Sequence, residues 1–183
     1  MDADAESESF VGCNSTPFPV LVVIRGNSGS GKSTVAAAVR RRFERGACAL
    51  VAQDTVRREM LGESDDPGAF NIRLIEQIAT SCLREGLVVI VEGILTADKY
   101  GLMLERLAGA ARPLFYSFDL TLEQTHARHA GRAQAASITE EMITEWYRPW
   151  KPLTFVDEIR LDGGWTVEAL TERIWTDITR ARR

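Results

Sequence analysis

Gly26-Asn27-Ser28-Gly29-Ser30-Gly31-Lys32-Ser33 follows the run Val20-Leu21-Val22-Val23-Ile24 and leads into Thr34-Val35-Ala36-Ala37-Ala38-Val39. The pattern Gly-x-x-x-x-Gly-Lys-Ser, entered from a β-branched strand and left through a helix, is a phosphate-binding loop in the context the motif requires. Its glycines let the backbone wrap, so that successive N–H groups converge on phosphate oxygens at the positive end of the following helix. The Lys32 ammonium is expected to reach the β- and γ-phosphates of a nucleoside triphosphate. Ser33 is expected to hold Mg2+ through its hydroxyl, and Gly26 through Thr34 form the nucleotide-binding segment. No Gly-x-Gly-x-x-Gly can be written here, which removes the dinucleotide-binding alternative.

Working outward, short apolar runs alternate with helical patterns. Val20–Arg25, Ala49–Ala52, Leu87–Glu92, Leu114–Asp119 and Glu158–Leu161 read as strands. Val35, Val39 and Phe43 make one helical stripe, as do Ile72, Ile75, Ala79 and Cys82, and Val167, Leu170, Ile174 and Ile178. Thr166 suits an N-cap for the last helix, and a further helix begins near Leu122. Strand alternating with helix predicts an α/β fold with a parallel sheet covered on both faces.

The chain has 183 residues, 45% of them hydrophobic, which is enough for one domain with a substantial core. Its 26 acidic and 22 basic residues leave a net charge of −4, which Asp2, Asp4, Glu6 and Glu8 account for. Residues 1–16 read as a disordered acidic leader and 17–183 as the folded domain. The neutral domain argues against a surface for extended nucleic acid. With no secretory signal and no run long enough to span a membrane, a cytoplasmic location is expected, with no membrane partner. Cys13, Cys48 and Cys82 have neither metal-ligand nor disulfide-framework spacing and read as idle thiols. His126 and His129 read as surface residues, since nothing completes a metal site around them.

A phosphate loop alone leaves the fate of the γ-phosphate open. Immediately after the second strand, Asp54 stands at the carboxyl edge of the sheet, where ligands of such folds bind, followed by Arg57 and Arg58. Asp54 reads either as the base that orients and deprotonates an acceptor hydroxyl or as a simple N-cap. Arg57 reads either as a substrate contact or as a solvated side chain. Glu92 ends a buried strand at the same edge, where a carboxylate needs a partner such as hydrated Mg2+ or a substrate hydroxyl. Arg128 and Arg132 lie four apart where the Gly/Ala-rich insertion Gly131–Thr139 begins, on one helical face if the helix continues. Trp146, Tyr147 and Trp150 form the densest aromatic cluster; it reads as packing or as a wall for a planar substrate, Tyr147 being the substrate-side candidate.

Gly26–Thr34, Asp54-x-x-Arg57, the strand ending in Glu92-Gly93 and the basic segment Arg128–Arg132 together resemble a group of small P-loop kinases. This group includes chloramphenicol phosphotransferase, zeta-toxin-like kinases and the kinase domain of polynucleotide kinases. The resemblance runs in order over roughly residues 20–180. It implies a three-layer P-loop kinase fold with five parallel strands in the order 2-3-1-4-5 and a small helical lid near residues 128–150. It also implies Asp54 as catalytic base, with Lys32, Arg128 and Arg132 stabilising the transferring phosphoryl group from ATP and Mg2+. Three functions compete: a kinase acting on a hydroxyl of a nucleoside, sugar or antibiotic-like small molecule; a 5′-hydroxyl polynucleotide kinase; and a nucleotide-dependent regulatory module. The protein is expected to be a monomer or homodimer.

Overall fold

The computed structural model describes residues 18–130 and 139–183, with the side chains of 128–130 outside the description. The acidic leader, Arg132 and most of the Gly131–Thr139 insertion therefore lie outside the described residues, as do the side chains of Arg128 and His129.

Five strands form one parallel sheet: β1 Val20–Gly26, β2 Cys48–Ala52, β3 Val88–Gly93, β4 Arg112–Phe118 and β5 Ile159–Leu161. Their order is β2-β3-β1-β4-β5, the expected one, with every pairing parallel. The helices are α1 Lys32–Arg40, α2 Phe70–Arg84, α3 Ala97–Ala108, α4 Leu122–Ala130, α5 Glu140–Trp146 and α6 Val167–Ala181. A single π-helical turn, Thr55–Met60, follows β2.

The period of two along the central strands sorts their side chains into two cores, as a doubly covered sheet requires. Leu21 and Val23 of β1 with Val89 and Val91 of β3 face α2 and α3, meeting Ile75, Ala79, Met103 and Leu104. Val20, Val22 and Ile24 with Val88 and Ile90 face α1 and α6, meeting Val35, Val39, Leu170 and Ile174.

Two local expectations need correction. Helix α1 ends at Arg40, so Phe43 lies beyond it; its ring meets Trp175 of α6 edge-on, with centroids 5.0 Å apart. Helix α3, which buries Tyr100, Met103, Leu104 and Leu107, was not anticipated. Its sequence opens with Ala-Asp-Lys and carries Gly101 in its second turn, which dilutes the apolar signal. Thr166 does cap α6, its hydroxyl accepting from Ala169 N at 3.1 Å. Among the described residues, no helix is long and apolar enough to cross a membrane.

Candidate active site

The carboxyl edge of the sheet gathers the predicted residues because the register places them there. Glu92 stands level with Ile24 of β1 and Ala52 of β2, two residues before Asp54, and Gly26 stands level with Phe118 of β4. A Cβ on Gly26 would lie 2.7 Å from Phe118 Cβ, so the loop leaves β1 at a point only glycine can occupy. Gly31, with φ 106°, turns the chain into α1.

Inside the loop, the buried Lys32 donates from Nζ to Asn27 O at 2.6 Å and to Ser30 Oγ at 3.4 Å. Ser33 and Thr34 are exposed at the head of α1. The Glu92 carboxyl, only 5% exposed, is pushed above its ordinary range by burial and by the nearby charge of Asp54. Lys32 and a hydrogen bond with Ser33 act in the opposite direction. Lys32, Ser33, Glu92 and Asp54 therefore form one electrostatic group.

Asp54 does not cap the turn that follows it: its backbone is already α-helical and its side chain makes no capping bond. Instead its half-exposed carboxylate accepts from Arg57 Nη2 at 3.0 Å and pairs with Arg58 Nε at 3.1 Å. Arg57 is largely buried and also donates to Glu63 O at 3.2 Å. Arg58 is half exposed, with its guanidinium 5.9 Å from the centroid of the Trp146 ring.

Behind Asp54 lies a polar network that sequence reasoning missed. The buried Tyr100 hydroxyl accepts from Gln53 Nε2 at 2.9 Å and lies 2.7 Å from Asp65 Oδ1 and 3.1 Å from Asn71 Oδ1. Burial and the neighbouring Asp65 drive this phenol far above its ordinary range. Burial also raises Asp65, but hydrogen bonds from Lys99 and Tyr100 outweigh it and hold that carboxyl below normal. Glu63 accepts from Phe70 N, Asn71 N and Asn71 Nδ2 at 2.7–3.0 Å, fastening the 61–69 loop to the head of α2.

A strap, residues 147–158, crosses from α5 to β5 beside the phosphate loop. Tyr147 donates its hydroxyl to Leu120 O at 3.2 Å, and Trp150 Nε1 donates to Ser117 Oγ at 2.9 Å with Arg160 stacked 4.1 Å from its ring centroid. These contacts anchor the strap, and the Tyr147 hydroxyl is directed at the main chain. Arg25, buried just before the loop, forks onto Glu158 at 2.5 and 2.6 Å and donates to Lys151 O at 2.5 Å. Asn27, inside the loop, uses both ends of its amide on Arg148: Nδ2 donates to the carbonyl at 2.7 Å and Oδ1 accepts from the N–H at 3.0 Å.

On the other flank of the loop a cavity of about 270 Å³ lies between Ser30, Gly31 and Thr34 on one side and Trp165, Thr166 and Val167 on the other. No signal singled out Trp165, since a lone aromatic after a Gly-Gly pair carries no motif. Of the remaining expectations, Cys48 is buried and its thiol is pushed up to about 11 by that burial, while Cys82 is half-buried. His126 sits between α4 and α5, its Nε2 3.1 Å from Thr144 Oγ1. Among the described residues, no group of three or more His, Cys, Asp and Glu side chains is placed to hold a metal.

Residues 21–150 match the family model described as an AAA domain. Among curated proteins none matches the sequence. Solved structures of similar fold include a gluconokinase from Sinorhizobium meliloti, 16% identical, with a TM-score of 0.65 and coverage of 90% of this chain and 94% of that one. A sugar kinase from Janibacter is 22% identical, with a TM-score of 0.63 and coverage of 90% and 98%. The APS kinase of Mycobacterium tuberculosis, solved with AMPPNP and APS, is 24% identical, with a TM-score of 0.62 and coverage of 90% and 99%. At these identities the likeness speaks to the fold. The family match spans most of the chain and the sheet order and phosphate loop agree with it, so the chain belongs to the AAA domain family and has the architecture of a small P-loop kinase.

Proposed function

We propose that this chain is an ATP-dependent kinase that transfers the γ-phosphate to a hydroxyl group of a small molecule. The observation that carries the reading is the grouping of Asp54, Glu92, Ser33 and Lys32 at the carboxyl edge of the sheet. A carboxylate two residues beyond β2, within electrostatic range of the phosphate loop, is what acceptor activation requires. A binding module needs the loop but has no use for that carboxylate.

In this mechanism the loop N–H groups and Lys32 hold the triphosphate, with the nucleobase in the cavity beside Trp165. Asp54 accepts a hydrogen bond from the acceptor hydroxyl, steadied on its other side by Arg57 and Arg58. The hydroxyl oxygen attacks the γ-phosphorus in line, the bond to the β–γ bridging oxygen breaks, ADP departs and the hydroxyl proton passes to Asp54. Ser33 and Glu92, a hydroxyl and a carboxyl already hydrogen-bonded to one another, offer only oxygen donors and fit Mg2+, which would neutralise phosphate charge when bound. Arg128 and Arg132 are assigned to the lid, residues 128–150, closing on the phosphoryl group. Location in the cytoplasm, a monomer or homodimer, and the leader as a separate segment complete the reading.

The test is an ADP-release screen over nucleosides, sugars, aminoglycosides and other hydroxylated antibiotics, and 5′-hydroxyl oligonucleotides, with Asp54→Asn as the blank. Asp54→Asn is expected to retain ATP binding and to lose about 10²–10⁴-fold in turnover, the usual worth of a positioned base. Turnover within a few-fold of the parent would remove Asp54 as the base. A steep fall of activity with salt on the oligonucleotide would favour the polynucleotide reading.

A further inference from the structure

A transferring phosphoryl group spreads its charge over three equatorial oxygens, and a guanidinium fork is the side chain best matched to them. Of the described arginines nearest the phosphate loop, Arg25 is committed to Glu158, and Arg57 and Arg58 to Asp54. Arg148 is different. It is exposed and forms no ion pair with a described carboxylate, and its two side-chain bonds both leave from Nη1, to Glu145 O at 2.6 Å and Tyr147 O at 2.8 Å. Neither its Nε nor its Nη2 bonds to a described residue.

Its main chain, by contrast, is held by the phosphate loop itself. Pro149 follows, which biases Arg148 toward extended backbone and so keeps its N–H and C=O out of α5. A primary amide carries both a donor and an acceptor, and Asn27 spends both on those two groups, at 2.7 and 3.0 Å. No other short side chain meets both requirements: Asp lacks the donor, and Ser carries both functions on one atom. The loop residue next to Gly26 thus sets where the next flexible cation begins.

We propose that Arg148 contacts the transferring phosphoryl group, swinging from the carbonyls of Glu145 and Tyr147 onto it, and that Asn27 is the positioning residue that holds Arg148 at the loop. This rests on the kinase reading above and adds a cation separate from Arg128 and Arg132. Binding of the nucleotide and placement of the arginine are then coupled through one side chain.

The test compares affinity for Mg·ADP with affinity for Mg·ADP plus aluminium fluoride, a mimic of the transferring group that needs no acceptor, by calorimetry on the full chain. The parent is expected to bind the fluoride complex more tightly than ADP. Arg148→Ala should bind ADP within about two-fold of the parent and lose about 10- to 100-fold in affinity for the fluoride complex, the usual worth of a hydrogen bond to a charged group. Arg148→Lys should recover only part of this, because an ammonium lacks the fork. Asn27→Ala should reproduce part of the loss on its own and add almost nothing in the Arg148→Ala background, as residues acting through one another do. Retention of the tightening in Arg148→Ala, an equal loss for ADP and the fluoride complex, or additivity in the double variant overturns the proposal. A parent protein that shows no tightening at all sinks the kinase reading, and this inference with it.

Discussion

The donor and acceptor halves of the site are built by different means. Around the phosphate loop, the backbone supplies the binding groups and buried side chains are paired, as with Arg25 on Glu158 and Lys32 on Asn27 O. Around Asp54, side chains supply nearly everything. Of the three described side-chain atoms that are buried without a hydrogen bond, Gln53 Oε1 and Arg57 Nε lie in that half, and the third, Thr96 Oγ1, precedes α3. A buried polar atom without a partner costs on the order of 1–3 kcal/mol. Among the described residues, the deficit falls mainly on the acceptor half.

The sharpest way to break this contrast is to damage the donor half where it is most tightly paired. Arg25→Met leaves Glu158, whose side chain is 2% exposed, without its cation. The expected cost is about 3–5 kcal/mol in urea unfolding, with much of it regained in Arg25→Met/Glu158→Leu. A loss under about 1 kcal/mol would mean that the pair is not structural. Next in size, Lys32→Ala should reduce phosphoryl transfer about 10²–10³-fold while barely moving the unfolding midpoint, since its role is toward the ligand. A variant that unfolds instead would place Lys32 among the structural pairs.

The acceptor half is tested by Tyr100→Phe, which strips a hydroxyl from Gln53, Asp65 and Asn71. About 1–3 kcal/mol of stability should go, and KM for the acceptor should rise while KM for ATP holds. Equal rises in both would erase the division between the halves.

The smallest effect sits on the boundary. Glu92 has its proton affinity raised by burial, so the folded state binds that proton more tightly than the unfolded one. Stability is then lost as pH climbs from the ordinary 4.5 through the folded value. Glu92→Gln should therefore raise Tm at pH 8, with the gain vanishing toward pH 4. A gain that grows toward low pH would reverse the assignment.

These contrasts also explain what could be read from the residues in order. The phosphate loop was legible because its chemistry is in consecutive backbone N–H groups, and the two cores were legible because strands with both faces buried are apolar throughout. Asp54 and Arg57 stood out three apart as candidate base and candidate substrate contact; the structure pairs them with each other, which the sequence reading did not anticipate. The network behind them was not, because its members are far apart in sequence, with Gln53 and Tyr100 separated by 47 positions. The same holds for Asn27 and Arg148, 121 positions apart, where an asparagine inside a glycine-rich loop gives no hint of a distant partner. Tyr147 drew attention as an aromatic among cations; the structure gives its hydroxyl to a carbonyl, a use that no spacing encodes.

The bond between Arg25 and Glu158 also has a meaning in time. The partners are 133 positions apart, so at a synthesis rate of about 5–20 residues per second the strand carrying Arg25 waits roughly 7 to 27 seconds for its counterion. Over that interval the nascent chain carries the loop sequence while the guanidinium beside it lacks its carboxylate. The order of synthesis thus makes the Arg25–Glu158 pair one of the last contacts to form, and a ribosome-bound chain arrested before residue 158 is the species in which the first four strands can be observed without it.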